Sequence, residues 1–235
     1  MASSALVNHQ SAIAMAQALV AIEVTYADPP PPLDRLTVEG LRGGIAVLTV
    51  ATFENYLREA VQEAMDRINS HVPTCDFSKL PPELQVASTF QGLDQAMRGP
   101  KGSPGLTKFD RLADVQSATT RVVNGQVLGD AIAMTRGNPN SGVVTEIFKS
   151  VGSRRVFRSI KTAFESEWGS PTSETFIPDK LDEIVSRRHK VAHTASVLTI
   201  TREDLAEGIR YVSALSKALD AHLVGHTTRL IRAAA

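Results

Sequence analysis

The hydrophobic residues of this chain recur at helical spacing along most of its length. Apolar positions three, four and seven residues apart indicate amphipathic helices, whereas a strand would alternate apolar and polar positions. Few segments alternate in that way, and clusters of proline, glycine and asparagine separate the periodic segments. The pattern therefore predicts an all-α fold.

Start and stop signals set the boundaries of the predicted helices. The main helices are predicted at residues 3–26, 36–70, 143–151 and 178–193. One more helix is predicted to begin after the cap residue Ser153, and the last begins at Thr201. The 36–70 helix is apolar nearly all round between Ile45 and Phe53, which predicts a central position in the fold.

The length of the chain fits a single domain over residues 1–235. Its predicted parts are an N-terminal helix at 1–28, a core at about 38–226 and an insertion at 71–121. The insertion is rich in proline and glycine, so we expect it to be mostly loop, with short helices at 83–97 and 108–117.

Charge and cysteine content narrow the function classes. Lys+Arg and Asp+Glu both total 25, so the net charge is zero, which argues against a protein that coats nucleic acid through bulk charge. The single cysteine, Cys75, cannot form an internal disulfide, and we expect a cytoplasmic location. No stretch reaches the roughly 18–20 uninterrupted apolar residues of a membrane span, and the apolar N-terminus lacks a basic start. We expect a first helix there rather than a signal peptide, and no membrane partner.

The 178–193 segment carries an arginine on its apolar stripe. Leu181, Val185, Arg188 and Ala192 follow the spacing of a core-facing helix. A buried guanidinium needs an anion, a carboxylate or a cleft. His193 follows at about 140° around the helix, at roughly 100° per residue. Either the helix ends at His193, or two copies of the chain bring the two side chains together.

Other interpretations of these residues stay open. Glu54, within the most apolar helix, is a candidate ion-pair partner for Arg188. His189 and His193 have zinc-ligand spacing, but no third ligand is apparent. The glycine-rich segment 98–105 invites a phosphate-loop interpretation, although it lacks the Gly-Lys-Ser/Thr ending.

The motif Arg188-His-Lys-Val-Ala-His193 resembles the R-x4–6-H motif of HEPN domains. The apolar helix from Leu41 to Tyr56 resembles the early helix of HEPN proteins, with its embedded acid. The segment from Asn138 to Gly152 is similar to the one upstream of the motif in the RiboL-PSP-HEPN subgroup. The resemblance covers about residues 38–226.

This resemblance implies a HEPN-like helical bundle and a metal-independent endoribonuclease whose active site forms between two protomers, without a cofactor. It implies that His193 is the general acid/base, that Arg188 stabilises phosphorane charge, and that His189 and Glu54 support them. Cleavage by the 2′-hydroxyl would leave a 2′,3′-cyclic phosphate. Such domains belong to toxin–antitoxin, anti-phage or stress-response systems, so an antitoxin or defence-system partner is expected besides RNA.

Basic residues flank the motif on two helices. Arg154, Arg155 and Arg158 form one group, while Arg187 and Lys190 form the other. The two groups could line one RNA groove, or they could be ordinary solvated helix faces. Arg187 also gives an alternative R-x5-H spacing. The rival functions are a non-catalytic RNA- or nucleotide-binding module, or a scaffold that dimerises through the apolar helix.

Overall fold

The computed structural model describes residues 2–72, 74–98, 107–134, 138–194 and 200–235. For residues 192–194 this description covers the backbone alone. The α-helices within these ranges are α1 (Ser4–Glu23), α2 (Arg35–Asn69), α3 (Pro82–Val86), α4 (Gly92–Arg98), α5 (Leu112–Val123), α6 (Gly129–Ile132), α7 (Ser141–Ser150), α8 (Val156–Trp168), α9 (Phe176–Thr194) and α10 (Arg202–Ala234). These ranges contain no strand, and the predicted all-α fold is confirmed.

Helix α2 is the centre of the bundle, as its nearly continuous apolar surface predicts. It packs against α1, α9 and α10 and buries Ile45, Phe53 and Tyr56. The Tyr56 hydroxyl donates to the backbone carbonyl of Ser216 on α10 at 2.9 Å, so this buried polar atom is satisfied. These contacts place α9 and α10 on the same central helix.

Helices α9 and α10 run antiparallel along each other. Near the start of α9, the carbonyl of Ile177 accepts from the Tyr211 hydroxyl, whereas Arg187 near its end binds Asp204 in the first turn of α10. Asp204 and Thr201 form a capping box at the start of α10, as the sequence predicts. The end of α9 is therefore held at the beginning of α10.

The predicted insertion is more helical than its composition indicates. A short π-helix at Ala87–Gln91 joins α3 to α4, so that residues 82–98 form one helical segment. The helix predicted at 108–117 instead lies at 112–123, and the glycine-rich 98–105 segment lies outside the described residues except Arg98. Ala118 of α5 is buried. Such packing stabilises a helix in a region where the nearby prolines and glycines had indicated a loop.

The turn between α7 and α8 corrects one capping prediction. Gly152 ends α7 with a φ of 87°, as expected for a helix C′ glycine. Ser153 does not cap α8, which begins at Val156 with Arg155 in the N-cap position. The Ser153 hydroxyl instead lies 2.8 Å from Nε2 of His222 on α10. A contact across the bundle therefore replaces the local cap.

A buried ion-pair group fastens α1 to the rest of the bundle. The carboxylate of Glu23 at the end of α1 lies 2.6 Å from Arg42 on α2 and 2.7 Å from Arg202 on α10. By length and composition, α1 and α2 each hold a window that is apolar enough to cross a membrane. The core helix of a folded bundle passes the same test, and α2 occupies that position here.

Candidate active site on α9

Arg188 is held by an amide that precedes α7. Its Nη1 donates to Oδ1 of Asn138 at 2.6 Å, although the two residues lie 50 positions apart in sequence. The amide nitrogen of Asn138 lies 3.4 Å from Nδ1 of His189. Because the guanidinium needs an acceptor, the Asn138 oxygen faces Arg188 and its NH₂ group faces His189. One side chain thus orients two consecutive residues of the motif.

The segment carrying Asn138 is itself fastened to α9. The backbone N–H and the hydroxyl of Ser141 both donate to the carboxylate of Asp182, each at 2.7 Å. Asn140 caps α7 by accepting from the backbone N–H of Val143 at 2.9 Å. Asp182 and His189 are seven residues apart, so they lie on nearly the same face of α9. The turn therefore follows this face of α9 and places Asn138 beside Arg188 and His189.

Sequence reasoning missed both anchors of this turn. Asn138 entered only as part of a segment that resembles its HEPN counterpart, and no role was predicted for Asp182. The signal that was present is the Asn-Pro-Asn-Ser turn directly before an apolar helix. Its partner on α9, 41 residues away, is not encoded in local periodicity.

The two neighbouring arginines of α9 have different environments. Arg187 binds Glu183 one turn earlier and Asp204 at 3.0 Å, so two carboxylates neutralise its charge. Burial alone would raise the pKa of Asp204, but hydrogen bonds from Thr201 and the charge of Arg187 lower this pKa below its usual value. Arg187 therefore fastens α9 to α10 rather than facing solvent.

Among the described residues, Arg188 has no such neutralising partner. It is half-buried, and no ion pair between it and a carboxylate occurs among the described residues. The hydrogen bond that the structure gives its Nη1 goes to Asn138 rather than to Glu54, the acid that the sequence offered as a partner. Its Nε is buried and has no hydrogen-bond partner within the described ranges. The guanidinium that was predicted to need an anion therefore lacks a carboxylate partner among the described residues.

The remaining motif positions lie on a continuous helix. The backbone of α9 stays helical through Thr194, so the helix does not end at His193. The His193 side chain lies outside the described residues. His189 is exposed beside Asn138, and Lys190 is exposed one position later. Within the described residues, no group of three or more His, Cys, Asp or Glu side chains is placed to hold a metal ion.

The basic residues Arg154, Arg155 and Arg158, in the turn before α8 and at its start, lie far from this site. Arg154 binds Glu83 through its Nε at 2.7 Å, and Arg155 and Arg158 are exposed on the same turn and helix start. The turn before α8 contacts α10 at His222, whereas Arg187 of α9 contacts α10 at Asp204. These two positions on α10 are about 27 Å apart, at 1.5 Å per residue. The structure therefore does not gather the two predicted basic groups into one cluster.

The comparison with protein families agrees with this architecture. A family model described as RiboL-PSP-HEPN matches residues 17–225, which include α2, the turn at Asn138, α9 and most of α10. Neither curated proteins nor solved structures give a match. The family match covers most of the chain and confirms the resemblance drawn from the motif and its flanking helices. The chain therefore belongs to the RiboL-PSP-HEPN family.

Proposed function

We propose that this chain is a metal-independent endoribonuclease that cleaves RNA at a site combining Arg188 and His193. The observation that carries the proposal is the state of Arg188, whose charge is oriented by an amide and is not neutralised by a carboxylate among the described residues. A guanidinium keeps its charge and can bind two phosphate oxygens at once. Membership of the HEPN family supports an RNase-like or RNA-binding role.

The chemistry requires a proton carrier and a charge stabiliser. The 2′-hydroxyl loses a proton, its oxygen attacks the adjacent phosphorus, and the bond from phosphorus to the 5′-oxygen breaks. An imidazole can take the first proton and return one to the leaving oxygen, and we assign this work to His193. Arg188 would stabilise the extra charge on the phosphorane. The products are a 2′,3′-cyclic phosphate and a 5′-hydroxyl, so RNA would be cut and DNA would not.

We assign the two residues of one active site to different protomers. Positions 188 and 193 are separated by about 140° around α9 and by about 7.5 Å along it. A helix that continues through both positions directs them apart, whereas a two-fold dimer can bring Arg188 of one protomer to His193 of the other. His189, held through Asn138, and Glu54 on α2 would be supporting groups.

The biological setting follows from the same proposal. An unrestrained ribonuclease would arrest growth, so a cytoplasmic toxin, anti-phage or stress-response role with a neutralising partner fits the activity. Overexpression of the wild type should arrest growth, whereas Arg188→Ala should not. Normal growth with both proteins would favour an RNA- or nucleotide-binding module or a scaffold.

The direct test uses purified protein and mixed RNA in EDTA. Wild type and an exposed-histidine control, His71→Ala, should cleave RNA and leave cyclic-phosphate ends. His193→Ala and Arg188→Ala should lose cleavage while remaining folded by circular dichroism. Equal cleavage by all four proteins would indicate a different site or a contaminant. Binding of RNA without cleavage by any of them would favour the binding-module alternative.

Subunit mixing tests the composite site. Arg188→Ala and His193→Ala dimers are unfolded together and refolded, so that mixed dimers form. A mixed dimer has one intact site if the two residues come from different protomers, and it has none if they come from the same protomer. We expect about a quarter of wild-type activity in the mixture, from half of the dimers with one site each. No recovery, with mixed dimers verified by mass spectrometry, would contradict the composite site.

A further inference from the structure

Four arginines without a protein partner lie towards the end of the bundle that is remote from the motif. Arg155 and Arg158 are exposed at the start of α8, and Arg229 and Arg232 are exposed near the end of α10. None of these four side chains forms an ion pair or a hydrogen bond within the described ranges. An exposed arginine in this state keeps its N–H donors available to a ligand.

The turn between α7 and α8 lies on the same face of α10 as one of these arginines. The Ser153 hydroxyl lies 2.8 Å from Nε2 of His222, and the carbonyl of Val151 lies 2.8 Å from Nε2 of His226. His222, His226 and Arg229 are spaced by four and three residues, so they share one face of the helix. Burial lowers the pKa of both histidines, and the charge of Arg229 lowers it further. The turn therefore joins the start of α8 to the part of α10 that carries Arg229.

Two acidic side chains beside this turn are already paired. Glu83 binds Arg154, which directly precedes Arg155, and Glu146 lies 3.6 Å from Lys149 in the last turn of α7. Each of these acids offsets a cation of its own, so the four unpaired arginines form an excess of positive charge. The chain as a whole has a net charge of zero, so this excess is a local feature. Its complement is a ligand that carries several negative charges.

The residue type and the spacing favour the phosphates of RNA. A guanidinium binds two phosphate oxygens with its planar fork, and phosphate contacts supply much of the affinity of nucleic-acid complexes. Arg155 and Arg158 are three residues apart, as are Arg229 and Arg232, so the members of each pair are neighbours on their helix. Two such pairs can bind several phosphates of one strand. Contacts of this kind position a nucleic acid without selecting its sequence.

We propose that RNA binds to these side chains through its phosphates, at a second site away from the cleavage site. We call this site the arginine surface and define it by Arg155, Arg158, Arg229 and Arg232. It would hold the substrate while Arg188 acts at one phosphodiester. This role in cleavage rests on the proposed ribonuclease function, whereas the binding of RNA can be measured without cleavage.

The separation of the two sites sets a minimum length for the RNA. The motif is fastened to α10 at Asp204, through Arg187, and the turn before α8 is fastened to α10 at His222. These two positions are about 27 Å apart along the helix. At about 3.4 Å per phosphate of a stacked strand, an RNA needs about eight nucleotides to contact both sites of one protomer. The proposed substrates are therefore RNAs of at least about that length.

The test compares the affinity of the full-length protein for two RNAs, one of about 20 nucleotides and one of about four. All proteins carry His193→Ala and are kept in EDTA, so that the RNA stays intact. Fluorescence anisotropy measures binding at several salt concentrations. The surface variant changes all four arginines of the arginine surface to glutamine. The control variant removes the same total charge at four exposed arginines that have protein partners, namely Arg35, Arg58, Arg98 and Arg210.

We expect the surface variant to bind the longer RNA at least about tenfold more weakly than its parent at low salt. The slope of log affinity against log salt should become shallower by up to about 2.8, at about 0.7 per lost phosphate contact. The control variant should stay within about threefold of its parent, because salt screens charges that do not touch the RNA. The parent should gain affinity steeply from the shorter to the longer RNA, and the surface variant should lose most of this gain.

Two half variants keep the test independent of any one substitution. Arg155→Gln/Arg158→Gln and Arg229→Gln/Arg232→Gln should each produce about half of the change in salt slope. Circular dichroism verifies that each variant remains helical. A change confined to one pair would reduce the arginine surface to that pair and contradict a site shared by α8 and α10.

Three results would overturn the arginine surface. The first is equal affinity of the surface variant and its parent for the longer RNA, including the absence of binding by both. The second is an equal loss in the surface and control variants, which would indicate an effect of total charge. The third is weaker binding of a polyglutamate peptide with unchanged binding of RNA, which would assign these arginines to an acidic protein partner.

Cleavage by proteins that retain His193 is a separate measurement. Weaker RNA binding by the surface variant, together with no cleavage by the wild type, would leave the arginine surface standing and remove the ribonuclease proposal. Cleavage by the wild type, together with unchanged RNA binding by the surface variant, would do the reverse.

Discussion

Asn138 and Arg188 share a 2.6 Å hydrogen bond that joins the turn before α7 to the motif on α9. The same amide contacts His189 at 3.4 Å. A neutral amide is suited to this position because it orients a guanidinium without neutralising it, as a carboxylate would. The hydrogen bond therefore leaves the guanidinium of Arg188 available for the phosphate contact that we propose.

Removal of this amide should lower activity more than stability. We expect Asn138→Ala to cleave RNA about tenfold to hundredfold more slowly, because small misplacements of a catalytic group are costly. The cleavage rate and the thermal unfolding midpoint are measured for each protein. Asn124→Ala, an exposed asparagine after α5, is the control and should cleave like wild type. Equal rates for Asn138→Ala and wild type would contradict the role of Asn138.

The anchor of the turn should also affect the site. In Asp182→Ala, Ser141 loses both of its hydrogen bonds to α9. We expect about 1 kcal/mol of lost stability, together with slower cleavage, since Asn138 is then held less firmly. Denaturant unfolding and cleavage assays measure the two effects. Asp179→Ala, at an exposed acid in the first turn of the same helix, should keep the cleavage rate. If Asp182→Ala also keeps the wild-type cleavage rate, the hydrogen bonds between Ser141 and Asp182 do not contribute to activity.

Two adjacent glycines of α2 offer a matched pair for helix packing. A Cβ at Gly43 would lie 3.1 Å from Cγ1 of Val191, inside the motif, whereas a Cβ at Gly44 meets nothing within 4 Å. Gly44→Ala should stabilise the protein by up to about 1 kcal/mol through helix propensity. Gly43→Ala should gain less and should slow cleavage, because Val191 must move. The measurements are unfolding free energy and cleavage rate, and identical behaviour of the two variants would contradict the close approach of α2 and α9.

Stability should fall in mild acid because of buried histidines. His9 is 3 % exposed, and burial lowers its pKa from 6.5 to about 4, although its hydrogen bond to Thr52 opposes this shift. Burial likewise lowers the pKa of His222 to about 4, and it lowers the pKa of His226. The unfolded chain takes up protons near pH 6.5 that the folded protein does not. Stability is therefore complete above pH 6.5 and declines as the pH falls towards 4.

Unfolding free energies between pH 7 and pH 4 test this expectation. His9 alone would contribute a loss of about 3 kcal/mol across the window. His9→Gln cannot titrate, so its stability should depend less steeply on pH, whatever its stability at pH 7. His71→Gln, at an exposed histidine, should keep the wild-type slope. An unchanged slope in His9→Gln would show that burial of His9 does not cause the acid effect.

Local patterns predicted much of the fold because helices depend on residues three and four positions apart. The bounds of α1, α2, α7 and α10 lie within a few residues of the predicted ones, and the capping box at Thr201 is present. The prediction was weakest in the insertion, where α5 was placed too early. It also failed at Ser153, because a hydrogen bond to His222 competes with the local cap.

The sequence by itself determined most of the helices, the family and the position of the Arg188–His193 motif, because these follow from the local spacing of residues. Only the tertiary structure decided which of the two arginines pairs with carboxylates among the described residues. Arg187 and Arg188 are adjacent and chemically identical, but Asp204 of α10 neutralises the first and Asn138 orients the second. These partners lie 17 and 50 residues away, and chain folding alone brings them to α9. The chemistry of the site therefore depends on contacts that no local pattern contains.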